Sequence, residues 1–412
     1  MNNMPRITRK VFVFILIALW AGYALLNAFT RAPYLWTKFA QGWSISSKLE
    51  DTVNAANGGI IFQGQLQDAN GHLNNLLDKQ TSNNFLFVKG ENQQLIYSNF
   101  YPYETYSHYN EPALRIRELH TAAQKQGASL LYLNCTDLYD EGDNPYGKFP
   151  VVNFNARSDA FMYYLQGYGV EYLDARAILR QSDINVSEYR YKSEPHWTTE
   201  AAFEVYLKLL AKLKTQDGRI DPQGIFADRN NFERTSYQQS YIGKMGKRTG
   251  VPFAAYDDFT LITPNFSTDF TLSYLEKEKK ASVEGDFSTV LLDKSLLDSE
   301  NIYERDMYST YLCEVYPFRK IHNNINQGGP KILIVGDSYM LPITTFLATA
   351  ASEIHLFWPY SFPGSQDSLL DYIEANKFDH IIIGLSPMTL YGNGFNFLDG
   401  IELPELDTTS VQ

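Results

Sequence analysis

The chain is built on two hydrophobic patterns. From Val11 to Thr30, VFVFILIALWAGYALLNAFT carries no charged side chain and is long enough to cross a bilayer as one helix. Residues 31–84 are polar and rich in Asn and Gln, with helical patches such as GHLNNLLDKQ, and read as a stalk. From residue 85 short apolar runs alternate with helical periods. FLFVKG (85–90) predicts a strand, and Leu114, Ile116, Leu119 and Ala123 recur at roughly helical spacing before Gly127 stops the helix. SLLYLN (129–134) predicts a strand, ARSDAFMYYLQGYG a helix, and VEYL (170–173) a strand ending on Asp174. In TTEAAFEVYLKLLAKL, Phe203, Tyr206, Leu207 and Leu210 share a face, with Thr198 or Thr199 as cap.

Between about 215 and 327 the rhythm breaks into polar, Gly- and Tyr-containing segments, which read as inserted hairpins and loops. It resumes with KILIV (331–335), a helix from about Leu341, EIHLFW (353–358), a helix from Ser368 to Asn376, and HIIIGL (380–385). Short apolar strands alternating with helices predict an α/β domain whose mostly parallel sheet is covered on both faces. The expected organisation is a cytoplasmic N-terminus and anchor (1–30), a stalk (31–84), the α/β domain (85–395, insertion about 215–327) and a tail (396–412).

Charge and composition narrow the setting. With 412 residues there is room for a sizeable core. A net charge of −12, with no basic run beyond the extreme N-terminus, argues against nucleic acid as a partner. A charge at the centre of the N-terminal helix would cost about 2.5–3.5 kcal/mol on insertion, so its absence over twenty residues is informative. Arg6, Arg9 and Lys10 precede that helix and favour a cytoplasmic N-terminus with the rest outside. The rival reading is a cleaved signal peptide, but the run is long for one and no small-x-small site follows. No cysteine follows it to carry a lipid. Cys135 and Cys313 are too few for a disulfide scaffold and are read as two buried thiols. The seven histidines are scattered without metal-ligand spacing, so neither metal nor cofactor is expected.

Two short stretches carry candidate chemistry. In PKILIVGDSYMLPI a strand ends on Gly336-Asp337-Ser338 and a helix follows, which puts Ser338 at the carboxyl edge of the sheet, where ligands bind in such folds. A serine there either caps the helix or stands exposed as a nucleophile, beside backbone N–H groups suited to an oxyanion. In YKSEPHWTTEAAF, Glu194 and His196 are two apart in an extended segment and project to one side, so carboxylate and imidazole can meet. This is either a capping histidine beside a core tryptophan, Trp197, or the orienter and base of a Ser–His–acid triad.

Together the two stretches resemble the SGNH-hydrolase-like proteins of polysaccharide O-acetylation, which include the alginate O-acetyltransferase family and the DHHW proteins. SYIGKMGKRTG, MYSTYLCEVYPFRKIHN and NFLFVKGENQQLIY resemble further segments of that family, so the likeness covers about residues 80–395. It implies a three-layer α/β/α sandwich in which Ser338 carries an acetyl group, His196 is the base and Glu194 the acid. Glu194 departs from the family's usual aspartate, and Pro195 stands where the DHHW name has histidine. No clear counterpart of the family's oxyanion Asn is found. The candidates are the backbone N–H groups of Ser338 and Tyr339, then Asn134 at a strand end, with Arg248 a candidate contact to substrate.

The expected activity is that of an extracytoplasmic, membrane-anchored O-acetyltransferase acting on a cell-surface or exported polysaccharide. The resemblance implies a membrane-bound O-acyltransferase as the partner that delivers the acetyl group. An acetyl esterase using the same residues is one alternative, and a catalytically inactive polysaccharide-binding assembly subunit is another.

Overall fold

The structure is a computed structural model that describes residues 6–41, 61–90, 93–98, 106–136, 154–276, 279–312, 317–360 and 368–403. The chain divides into two compact units, residues 1–69 and 70–412. In the first, helix α1 (Arg6–Gln41) runs past the expected end of the anchor at Thr30. Its stretch Lys10–Tyr34 is long and apolar enough to cross a membrane, and none of it is buried. Twenty-five residues at 1.5 Å each rise about 37 Å, more than the roughly 30 Å of a hydrocarbon core.

Helix α2 (Gln63–Leu76) contains the boundary, and the second unit opens with its residues from Asn70 and a small antiparallel sheet of β1 (Thr81–Ser82), β2 (Phe87–Lys89) and β3 (Leu95–Tyr97). FLFVKG therefore supplies a strand, but to this small sheet and not to the main one. The next elements are α3 (Asn110–Lys125), β4 (Ser129–Asn134), α4 (Asn155–Gly167), β5 (Tyr172–Asp174), α5 (Ala175–Arg180) and α6 (Thr199–Gln216). Asp174 caps α5 by accepting the Arg176 N–H, and Thr198 caps α6 by accepting that of Ala201. A two-stranded ribbon of β6 (Phe232–Tyr241) and β7 (Asp257–Pro264) flanks the short helix α7 (Lys244–Thr249). There follow β8 (Phe270–Glu276), β9 (Lys279–Gly285), β10 (Phe318–Asn323), β11 (Lys331–Gly336), α8 (Met340–Leu347), β12 (Glu353–Phe357), α9 (Leu369–Asn376) and β13 (His380–Leu385).

Eight strands form the main sheet in the order β5-β4-β13-β11-β12-β10-β8-β9. The first five run parallel and the last three antiparallel. Alternating side chains feed two cores. Leu131, Leu133, Ile332, Ile334 and Ile382 pack with α5, α6 and α8, whereas Leu130, Tyr132, Leu333, Val335, Ile381 and Ile383 pack with α3, α4 and α9. The antiparallel strands lie mostly in the segment expected as a loop and hairpin insertion, which thus extends the main sheet. Their sequences, FTLSYLE, KKASVEG and FRKIHN, have polar faces and lack the continuous apolar run of a strand buried on both sides.

Parallel register aligns Gly336 with Gly384 on neighbouring strands, and Met340 at the start of α8 lies over the pair. A Cβ on Gly384 would come 2.2 Å from Met340 Sδ, and one on Gly336 2.6 Å from Met340 Cγ. These two glycines let the first turn of α8 settle onto the sheet. Gly384→Ala should therefore lower stability by about 1–3 kcal/mol through overpacking. A fall in the urea midpoint at unchanged slope is the expected result, and an unchanged midpoint would show that Met340 yields freely.

Candidate active site

Ser338 sits in the turn between β11 and α8, partly exposed, and its neighbour Asp337 is buried. The Asp337 carboxylate accepts the Tyr339 N–H at 3.0 Å through Oδ1. Through Oδ2 it accepts the Ser386 N–H and the Thr389 hydroxyl, both at 2.7 Å. Asp337 thus ties the serine turn to the loop after β13. Its charge is met by donors, so it acts on the turn's shape rather than on the Ser338 hydroxyl.

The histidine stretch is a tight strap. Arg190 and Trp197 form an antiparallel bridge, and the Thr198 N–H donates to the Tyr189 carbonyl at 2.9 Å. At the strap's turn, buried Asp257 accepts the Lys192 N–H at 2.6 Å, the Ser193 N–H at 2.9 Å and the Ser193 hydroxyl. The Ser193 Oγ accepts from the Gly243 N–H at 2.8 Å, and the Ser193 carbonyl accepts the N–H groups of Met245 and Gly246. From the other side the Leu95 N–H of β3 donates to the Lys192 carbonyl at 2.7 Å. Trp197 is fully buried edge-on to Tyr339, ring centroids 5.2 Å apart, and the Tyr339 hydroxyl donates to the Pro195 carbonyl. Both ends of the strap are therefore fixed before His196 makes any contact of its own.

Three side chains line up at its tip. His196 Nδ1 lies 2.7 Å from Glu194 Oε1, and His196 Nε2 lies 2.6 Å from Ser338 Oγ. A carboxylate at Nδ1 selects the tautomer with the proton there, which leaves Nε2 to accept the Ser338 hydroxyl. Glu194 is 1 % exposed and His196 4 %. The second carboxylate oxygen accepts the Lys244 N–H at 2.5 Å and the Tyr241 hydroxyl at 3.3 Å. Burial pushes the Glu194 pKa up, but the hydrogen bond to His196, its charge, and the charge and N–H of Lys244 outweigh it and hold the carboxyl below its ordinary range. The Tyr308 ring stacks on His196 at 4.0 Å and 10°, and its hydroxyl donates to the Ser338 carbonyl at 3.0 Å. Burial raises the Tyr308 pKa well above its usual value, so it remains a donor.

The remaining candidates lie elsewhere or are already engaged. The Tyr339 N–H, expected as an oxyanion donor, is given to Asp337 Oδ1. The Ser338 N–H has no acceptor among the described residues. Asn134 is fully buried, two strands from β11, with its amide turned to Asp174 Oδ1 at 3.0 Å. Arg248, at the far end of α7, is exposed and places its guanidinium over the Phe87 ring, 5.1 Å from the centroid. Cys135 is a buried free thiol, and Cys313 lies outside the described residues. Among the described residues no group of three or more His, Cys, Asp or Glu side chains is arranged for a metal. Asp257, Tyr241, Gly243, Lys244 and Tyr308 carry no motif of their own. Four of the five fall in SYIGKMGKRTG or MYSTYLCEVYPFRKIHN, segments whose resemblance was visible and whose roles were not.

No protein-family profile matches the sequence, and no curated protein does. The fold has solved counterparts. A DHHW family protein from Eubacterium siraeum is 16 % identical and matches over 78 % of this chain and 100 % of its own, with a TM-score of 0.56. Bacillus cereus PatB1, solved with a sulfonyl adduct, is 16 % identical over 76 % of this chain and 97 % of its own, with a TM-score of 0.60. At these identities the likeness is one of fold.

The depressed Glu194 pKa has a defined sign in stability. A carboxyl whose folded pKa lies below its ordinary 4.5 adds stability that is full above that value and disappears as pH falls through the folded pKa. Urea midpoints of the native chain and Glu194→Gln should therefore differ most near neutrality and converge as pH is taken well below 4.5. A gap that stays constant or widens in acid would mean that Glu194 is not held as the anion.

Proposed function

We propose that the chain is a membrane-anchored, extracytoplasmic O-acetyltransferase of SGNH type that acts on a polysaccharide, with Ser338 as nucleophile, His196 as general base and Glu194 as its orienter. The hydrogen-bond chain Glu194–His196–Ser338, at 2.7 and 2.6 Å with Ser338 partly exposed at the carboxyl edge of the sheet, carries the reading. The resemblance of the serine and histidine stretches supplies the acetyl group and the polysaccharide. The apolar helix α1 supports anchoring, with the basic residues before it on the cytoplasmic side.

In this mechanism Ser338 Oγ attacks the carbonyl carbon of the donor acetyl ester while its proton passes to His196 Nε2. The imidazolium is stabilised by Glu194, which accepts from Nδ1 throughout. Collapse of the tetrahedral intermediate breaks the donor's C–O bond, and His196 returns the proton to the leaving oxygen. A sugar hydroxyl then gives its proton to His196 and attacks the acetyl-serine, and Ser338 leaves with the proton restored. The Ser338 N–H is the backbone donor open to the developing oxyanion. Acetyl delivery falls to a membrane-bound O-acyltransferase partner, as the resemblance implies. A triad assembled to hydrogen-bonding distance supports an enzyme over an inactive binding subunit, and the acceptor, sugar hydroxyl or water, separates transferase from esterase.

The test uses the full chain in detergent with a chromogenic acetyl ester. Ser338→Ala and His196→Ala should reduce turnover to background, and Glu194→Gln should lower kcat by about 10³–10⁴-fold with little change in KM. Mass spectrometry should find acetyl on Ser338, and an aromatic sulfonyl fluoride should block the same residue. Acceptor oligosaccharides should raise product release if transfer is the native reaction. Turnover that survives Ser338→Ala, or a folded native chain with neither turnover nor labelling, would overturn the assignment.

A further inference from the structure

A concave surface lies at the end of α7 opposite Lys244. It is a groove of about 830 Å³ between α2, the β1–β2 segment and Arg248, within the range of small-molecule and glycan sites. Its charged lining residues are Lys79 and Arg248, both cations, and amides, hydroxyls, Phe85 and Leu86 make up the rest. In a chain of net charge −12, a groove with positive charge alone is selective for what it attracts.

The groove's frame is held by its own hydrogen bonds. Asn74 Nδ2 donates to Ser82 Oγ at 3.3 Å, Ser82 Oγ to Asn83 Oδ1 at 3.3 Å, and Asn83 Nδ2 to the Arg248 carbonyl at 2.9 Å. Asn83, Asn84 and Phe85 then occupy the left-handed region in succession, with φ of 50°, 54° and 66°. Phenylalanine has no local reason to adopt that conformation. The run holds the Phe85 ring outward, 60 % exposed, beside exposed Asn84. Backbone strain of this kind persists only where the surrounding structure holds it, and here it keeps a large apolar ring in solvent. The Arg248 guanidinium lies over the Phe87 ring, 5.1 Å from its centroid.

We propose that this groove is a subsite for a carboxylated polysaccharide. An apolar sugar face rests on Phe85, hydroxyls bond to Asn84, and a sugar carboxylate is held by Arg248 and Lys79. This rests on the polysaccharide reading above and gives it a substrate class. The same short helix, α7, offers its first N–H to Glu194 and its Arg248 side chain to the groove. Glycan binding and the triad therefore share one rigid element, and the polymer is engaged at a distance from the hydroxyl that is acylated.

Binding is measured by calorimetry on the full chain in detergent carrying Ser338→Ala, with oligogalacturonides and with maltooligosaccharides of equal length. The acidic probe should bind and the neutral one should bind at least tenfold more weakly, with the acidic affinity falling as salt rises from 50 to 200 mM. Arg248→Ala and Lys79→Ala should each weaken acidic binding at least tenfold. Should Arg248→Ala loosen the small sheet, the exposed positions keep the test decisive: Phe85→Ala removes the stacking face, and Asn84→Asp sets a like charge against the carboxylate, each for a tenfold loss or more. Equal affinity for both probes, undiminished binding in these variants, or no binding of the acidic probe would overturn the proposal. Sulfonyl labelling of Ser338 in the otherwise native chain reads the triad separately. Labelling without acidic-glycan binding removes the groove alone, and binding without labelling removes the catalytic reading alone.

Discussion

One buried negative charge organises this molecule's candidate site. Glu194 is almost fully removed from water, and a carboxylate in that position is tolerated only when its oxygens are met by donors and its charge by a partner. His196, the Lys244 N–H and the Tyr241 hydroxyl meet that requirement from the strap, the helix α7 and the ribbon strand β6. Each of these elements must in turn be held to within a fraction of an ångström. Asp257 and Ser193 do this for the strap, and Gly243 does it for the approach of α7. The position of His196 relative to Ser338 is a consequence of satisfying Glu194.

Gly243 also makes room for Glu194, which stands where the resembling family uses aspartate. A Cβ on Gly243 would fall 2.3 Å from Glu194 Cβ and 2.5 Å from its Oε2. The volume left by the missing side chain accommodates the Glu194 Cβ and carboxylate, and it lets the Lys244 N–H approach to 2.5 Å. Glu194 and the glycine that makes room for it sit forty-nine positions apart in sequence, so their fit appears only once the chain is folded.

That separation marks what was legible in advance. Ser338, His196 and Glu194 could be singled out as candidates because their geometry is local: a strand end, a helix start, and two side chains projecting together at i and i+2; the resemblance, not that geometry, preferred a triad to caps. The parallel half of the sheet was legible because strands buried on both faces are apolar throughout. The antiparallel half was not, since half-solvated strands such as KKASVEG leave no such trace, and FLFVKG gave its existence as a strand without its sheet. Asp257 and Tyr308 were invisible because nothing beside them in sequence hints that they meet the strap. Tyr339 was assigned for its N–H, whereas the structure uses its ring and hydroxyl to fix Trp197 and the Pro195 carbonyl.

Two buried carboxylates act on the same strap, and their pKa values move in opposite directions. Burial raises Asp257 above its ordinary range although the Ser193 hydroxyl and two backbone N–H groups pull it down. Burial raises Glu194 too, yet its net shift is downward. The difference lies in the partners. Asp257 has only neutral donors in direct contact, which return part of the lost hydration. Glu194 adds an imidazole that can become cationic, and its anion is worth most when that happens. The proton transfer proposed from Ser338 to His196 Nε2 would therefore enter a field already set to receive it, without rearrangement of the strap. The neutral-donor carboxylate fixes the backbone, and the one beside the imidazole is placed where it would stabilise an imidazolium. The two functions are separated by sixty-three positions in sequence and joined through the single residue Ser193, which adjoins Glu194 in the chain and bonds Asp257 in space.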